Sequence, residues 1–167
     1  VDPNRRRSAP AAALAIALAL TLLPAVTAAQ VRSVPTLTLE AAKTAVAAAE
    51  AEAERRGWNV AIAVSDETGE LIAFHRTDGV QAGSIEIAQA KARTAARMRR
   101  PTRALADGIA EGRLGLLSVE ELVVLEGGLP VVIGEQVVGA IGVSGMTGEQ
   151  DAVVAQAGID AIAGNER

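Results

Sequence analysis

Cysteine and tyrosine are both absent from the 167 residues, and the aromatic side chains reduce to Trp58 and Phe74, with His75 the one histidine. Without cysteine there is no disulfide, thiolate nucleophile, cysteine zinc site or iron–sulfur ligation. Covalent haem attachment through Cys-x-x-Cys-His is also excluded. A single histidine rules out paired histidine ligands and the His-x-x-Glu-His zinc motif, and no Ser–His–Asp arrangement is present. No Gly-Lys-Ser/Thr occurs, so there is no Walker A loop. With so few aromatics the core must be built from Ala, Val, Ile and Leu. Such small side chains let elements approach closely but bury less apolar area per residue, so self-association would add needed burial.

What is present starts with Arg5-Arg6-Arg7, an apolar run from Ala11 to Val26, and Thr27-Ala28-Ala29-Gln30. A basic head, an apolar stretch and small residues before a polar one are the parts of a secretory signal peptide. Residues 1–29 are therefore read as that leader, cleaved after Ala29 or Ala28, and residues 30–167 as one domain. Pro24 falls where an uncleaved anchor of about 20 apolar residues would have to continue. The expected address is periplasmic or secreted, with no stable membrane insertion once the leader is removed. Residues 30–167 carry 13 basic and 19 acidic residues, a net charge of −6. An acidic domain of this size is a poor partner for nucleic acid or anionic lipid.

Along the domain, Thr38 caps an expected helix over 39–56, with Glu40 in its first turn, Arg55 and Arg56 in its last, and Gly57 to stop it. Residues 59–66 and 71–77 read as strands joined through Glu67-Thr68-Gly69-Glu70, an antiparallel hairpin. Ser84 is the expected cap of a helix over 85–99, and Thr102 of a short one ending near Glu111, after Pro101. Residues 129–133 and 136–143 form a second hairpin about Gly134-Glu135. Thr147-Gly148-Glu149-Gln150 matches the capping box of a last helix over 148–163. Hairpins alternating with helices predict an α+β fold with a mainly antiparallel sheet, not a doubly wound parallel one.

Several residues carry chemistry. Gly139-Ala140-Ile141-Gly142-Val143-Ser144-Gly145 lies between a strand and a helix, but it is not the Gly-x-Gly-x-x-Gly dinucleotide fingerprint. The loop from Ser144 to Gly148 offers backbone N–H groups to an anion, whereas Glu149 and Asp151 place negative charge there and favour plain capping. Arg76 and Asp78 end the first hairpin, as a salt bridge or as pocket residues. Residues 91–103 hold six basic side chains and no acidic one. They read as a solvated face, with Lys91 the first to consider for an anionic ligand. His75 shares a strand face with Leu71 and Ala73, opposite Ile72, Phe74 and Arg76. Imidazole is a haem ligand and a general base, and Met98 and Met146 are weaker axial candidates.

Four ordered segments carry a resemblance: residues 71–79 (Leu-Ile-Ala-Phe-His-Arg-Thr-Asp-Gly), residues 87–92 (Ile-Ala-Gln-Ala-Lys-Ala), Glu126-Gly127-Gly128-Leu129-Pro130, and Gly139 to Gly145 followed by Glu149-Gln150-Asp151. Together they resemble the GlcG/HbpS family, also called haem-degrading or DUF336, over about residues 37–163. That family includes an extracellular haem-binding protein and the C-terminal domain of a corrinoid adenosyltransferase of the PduO type. The resemblance implies a profilin-like antiparallel sheet of about five strands with packed helices, the fifth strand falling in residues 118–125. It also implies a homo-oligomer and haem as cofactor, with haem handling or redox sensing in some members. By motif match the pocket residues are Arg76, Asp78, Lys91, Gly145, Thr147, Glu149 and Asp151, with His75 as metal ligand. The leading expectation is an exported haem- or tetrapyrrole-binding protein, a binder more than an enzyme. The alternatives are an enzyme or accessory factor for a small organic acid, held through Lys91 or Arg76, and a ligand-free oligomeric module.

Overall fold

The structure, a computed structural model, describes residues 32–163, so the expected leader at 1–29 lies outside the described residues. Pro35 opens the unit that carries every element below. Helix α1 (Leu39–Arg56) starts where Thr38 accepts a hydrogen bond from the Ala41 N–H and ends at Gly57, whose φ of 68° is left-handed. Strands β1 (Ala61–Asp66) and β2 (Leu71–Arg76) form the first hairpin. Helix α2 (Gly83–Met98) and the short α3 (Thr102–Ala110) follow, then a 3-10 turn (Leu114–Ser118). Strands β3 (Gly128–Ile133) and β4 (Gln136–Ser144) form the second hairpin, and α4 (Gly148–Ala163) closes the chain. At its start Thr147 and Gln150 make the reciprocal capping box, the Gln150 N–H donating to Thr147 Oγ1 and the Thr147 N–H to Gln150 Oε1.

All pairings are antiparallel and the order is β2-β1-β4-β3. The two central strands carry nearly the same string, Ala-Ile-Ala-Val-Ser at 61–65 and Ala-Ile-Gly-Val-Ser at 140–144. Their register sets Ile62 opposite Val143 and Val64 opposite Ile141 on one face, and Ala63 opposite Gly142 on the other. The branched face packs on the alanine stripe of α1 (Ala42, Ala45, Ala49, Ala53) and on Val154 and Ala155 of α4. Full burial of each large side chain there contributes about 1.5–3 kcal/mol. The small face takes α2 through Ala88 and Ala92. At Gly142 the helix comes so near that a Cβ would collide with the Ala88 carbonyl and the Ala92 amide, so the glycine sets the helix–sheet distance.

Three expectations are corrected. Four strands, not five, stand among the described residues. The stretch expected to supply the fifth makes a 3-10 turn and then an irregular path, with Glu121 left-handed at φ 65°. Glu120-Glu121 breaks the apolar alternation a strand needs, and the Val123 N–H is taken by the Thr94 hydroxyl instead of a ladder. Ser84 is not a cap, because the N-cap position falls on Ala82 and Ser84 is buried in the first turn. Thr102 is likewise the first helical residue after Pro101, and its hydroxyl accepts from the Gly128 N–H at 3.0 Å. A fourth difference lies in β2, where Val64 of β1 pairs with Ala73 and Ser65 with Leu71, leaving Ile72 as an extra residue. This bulge turns Ile72 to the α1 side together with Ala73, so strict alternation holds only from Ala73 to Arg76.

Candidate functional site

Lys91 of α2 is 3% exposed and reaches Asp151 in the first turn of α4, itself 1% exposed. Lys91 Nζ donates to Asp151 Oδ2 at 2.8 Å and to the Val143 carbonyl at 2.8 Å. Asp151 Oδ1 accepts from the Met146 N–H at 3.0 Å. Burial pushes the Asp151 carboxyl above its ordinary value of 3.8, against the opposing pull of Lys91. Gly127, at φ 118°, lies against this pair so closely that a Cβ would sit 2.7 Å from the Asp151 Cβ and 2.8 Å from Lys91 Nζ. The Glu126-Gly127-Gly128 segment thus seals the ion pair, a role that its sequence did not disclose.

The pair forms one wall of a cavity of about 460 Å³, bounded also by Ser84, Ile87, Glu126, Ser144 and Gly145. Of the residues expected to form one pocket, Lys91, Gly145 and Asp151 do meet here. Thr147 and Glu149 do not: Thr147 is spent on the capping box, and Glu149 points to solvent. Arg76 and Asp78 line a different cavity of about 450 Å³, beside Glu54 and Trp58 at the end of α1. Of the methionines, Met146 borders the Lys91 cavity.

His75 occupies a third place. Alternation from Ala73 turns it toward α1, where it lines an apolar groove of about 460 Å³ with Leu39, Val46, Ile72 and Phe74, and with Lys43 at its wall. Its side chain is 58% exposed, and Nδ1 lies 3.0 Å from Glu50 Oε2. A carboxylate oxygen can only accept, so Nδ1 is the donor, and a neutral ring held this way keeps its lone pair on Nε2. That is the arrangement by which proteins orient an imidazole toward a metal and raise its basicity. Glu50 was absent from the sequence expectations, because 25 residues separate it from His75. Two members of the basic run after Lys91 are paired: Arg97 meets Glu121 at 2.8 Å and Arg103 meets Glu126 at 3.0 Å. No cluster of three or more acidic, histidine or cysteine side chains suited to a metal occurs among the described residues. No helix among them is long and apolar enough to cross a membrane.

The model of the family described as "Haem degrading protein HbpS-like" matches residues 37–160. Protein GlcG of Escherichia coli is 42% identical over 91 residues, which is 54% of this chain and 68% of that protein. The crystal structure of a double mutant of HbpS from Streptomyces reticuli superposes with a TM-score of 0.74 at 36% identity, covering 78% of this chain and 89% of that one. PduOC, solved as a haem complex, superposes with a TM-score of 0.69 at 27% identity, covering 75% and 94%.

Proposed function

The chain belongs to the HbpS-like family of haem degrading proteins, and from that premise we propose that it binds haem or a related tetrapyrrole in the groove between α1 and β2, where His75 would hold the iron. The observation that carries this reading is the His75–Glu50 hydrogen bond at 3.0 Å on the wall of an apolar groove. The donor set fits the group. Nε2 of His75 would supply a ligand to iron, Leu39, Val46 and Ile72 an apolar bed for the macrocycle, and Lys43 a cation for a propionate. Bound haem would supply a redox-active iron, which is the chemistry that haem handling or redox sensing requires. Glu50 holds the ring in the tautomer that leaves Nε2 unprotonated. Two further parts of the reading are export, supported by the Arg5–Arg7, Ala11–Val26 and Ala29 pattern, and assembly as a homo-oligomer, supported by Leu114, Leu117 and Val119 left exposed on one loop.

The test is a hemin titration of parent, His75→Ala and Arg76→Ala at fixed salt, read by the Soret band and by EPR. His75→Ala is expected to lose the imidazole-ligated ferric signature without unfolding, and Arg76→Ala to bind as the parent does. Equal binding by parent and His75→Ala would refute the assignment. N-terminal sequencing of extracytoplasmic protein tests export, and recovery of Arg5–Arg7 in it would sink that part.

A further inference from the structure

Glu50 belongs to two places at once. Its Oε2 accepts from His75 Nδ1 at 3.0 Å beside the groove of α1 and β2, and the same residue lines the cavity of about 450 Å³ at the end of α1, with Glu54, Trp58, Arg76 and Asp78. The carboxylate thus joins a groove and a cavity that share no lining residue. With a side chain 30% exposed, Glu50 is only partly screened by water, and neighbouring charges act on it over several ångströms. Its second oxygen, Oε1, has no hydrogen-bond partner among the described residues.

Three further charged residues line the cavity. Glu54 stands one turn along α1, so the two carboxylates are neighbours on one helix face. Arg76 and Asp78 come from the end of β2 and the turn after it. None of the three makes an ion pair among the described residues, so their charges are spent on no other partner. Like charge from Glu54 and Asp78 makes Glu50 a stronger acceptor, and Arg76 makes it a weaker one. A stronger acceptor draws the Nδ1 proton toward itself and leaves more electron density on Nε2. Resting on the haem reading above, we propose that Glu54 and Arg76 are positioning residues of the His75 site: acting through Glu50, they set with opposite sign how strongly Nε2 donates to iron. An electron-rich Nε2 favours ferric over ferrous iron, because the higher charge gains more from it. Glu54 therefore lowers the reduction potential and Arg76 raises it.

The experiment compares parent, Glu54→Gln and Arg76→Gln, each with Glu50 and with Glu50→Gln, loaded with hemin and titrated by spectroelectrochemistry at low salt. Both residues are exposed, so melting temperatures should stay at the parent's. Arg76→Gln is expected to raise the ferric-to-ferrous ratio at fixed potential about threefold to fivefold, the size of an interaction between partly exposed charges. Glu54→Gln should lower it by a similar factor. For one electron that is roughly 30–40 mV. Hemin affinity should stay within the same factor of the parent. Both shifts should fall by more than half with Glu50→Gln, where a neutral amide accepts from His75, and should weaken with added salt. Ring 15N shifts of the haem-free protein, taken where the imidazole is neutral, give a second reading. There Arg76→Gln should increase the Nδ1–H share and Glu54→Gln decrease it. If the parent shows no imidazole-ligated iron, the haem reading fails, and the tautomer shares still decide the coupling. Absent shifts, shifts of one sign in both variants, shifts undiminished by Glu50→Gln, or tautomer shares indifferent to both substitutions would each overturn the proposal.

Discussion

Replacing Lys91 by methionine removes the cation from a pair in which both partners are at most 3% exposed. Methionine fills most of the volume, so the loss is electrostatic. Asp151 is left as a buried carboxylate without its counter-ion, and the Val143 carbonyl loses a donor. Stranding one member of a buried pair costs about 3–5 kcal/mol, a large share of the ~5–15 kcal/mol that holds a domain together. In a domain of this size 1 kcal/mol moves the melting temperature by about 3–4 °C, so Lys91→Met should melt about 10–20 °C lower. The loss depends on pH in a definite direction. The Asp151 carboxyl already stands above 3.8 because of burial, and without Lys91 it rises further. The cost is small only below the ordinary value, grows above it as the unfolded chain ionises while the buried acid stays neutral, and is full once pH exceeds the raised value. Circular dichroism melts of Lys91→Met should therefore fall further below the parent at pH 8 than at pH 5. Adding Asp151→Asn removes the stranded charge and should recover about half of the loss. A destabilisation under about 1 kcal/mol at pH 8, or a double variant no better than the single one, would refute the reasoning.

Gly142→Ala should cost about 1–3 kcal/mol or more by overpacking α2 against the sheet, read from urea midpoints, because Ala88 and Ala92 leave no room for a Cβ. Burial acts to raise the Asp66 carboxyl, but the Thr68 hydroxyl and the amides of Glu70, Thr68 and Gly69 outweigh it and hold its value below 3.8. Its contribution to stability is full above about pH 4 and is lost as pH falls through the depressed value, so Asp66→Asn should flatten acid unfolding in that window. Light scattering at micromolar concentration should give at least a dimer for the parent. Charged replacements at Leu114 and Leu117 should shift it toward monomer, and a clean monomeric parent would count against assembly.

Elements whose signals lie within one turn were legible from residues alone. Thr38 and Gly57 bound α1 as expected, Thr147 and Gln150 start α4, and both hairpins fall where their turn residues stand. Capping and turn formation are local, so the spacing of a few residues determines them. Where a local signal competed with packing, packing decided. Ser84 and Thr102 have cap chemistry but were drawn into the interior, and residues 118–125 turn and run irregularly instead of pairing as a strand. The candidate sites depended most on tertiary structure. Lys91 and Asp151 lie 60 residues apart, and His75 and Glu50 25 apart. Arg76, adjacent to His75 in the chain, lines a different cavity, at the end of α1 beside Glu50 and Glu54. Residue type and motif order were enough to name Lys91, Asp151 and His75 as candidates. Which of them share a cavity, and which are already paired, depends on contacts between α1, α2, β2 and α4 that form only when the sheet brings those elements together.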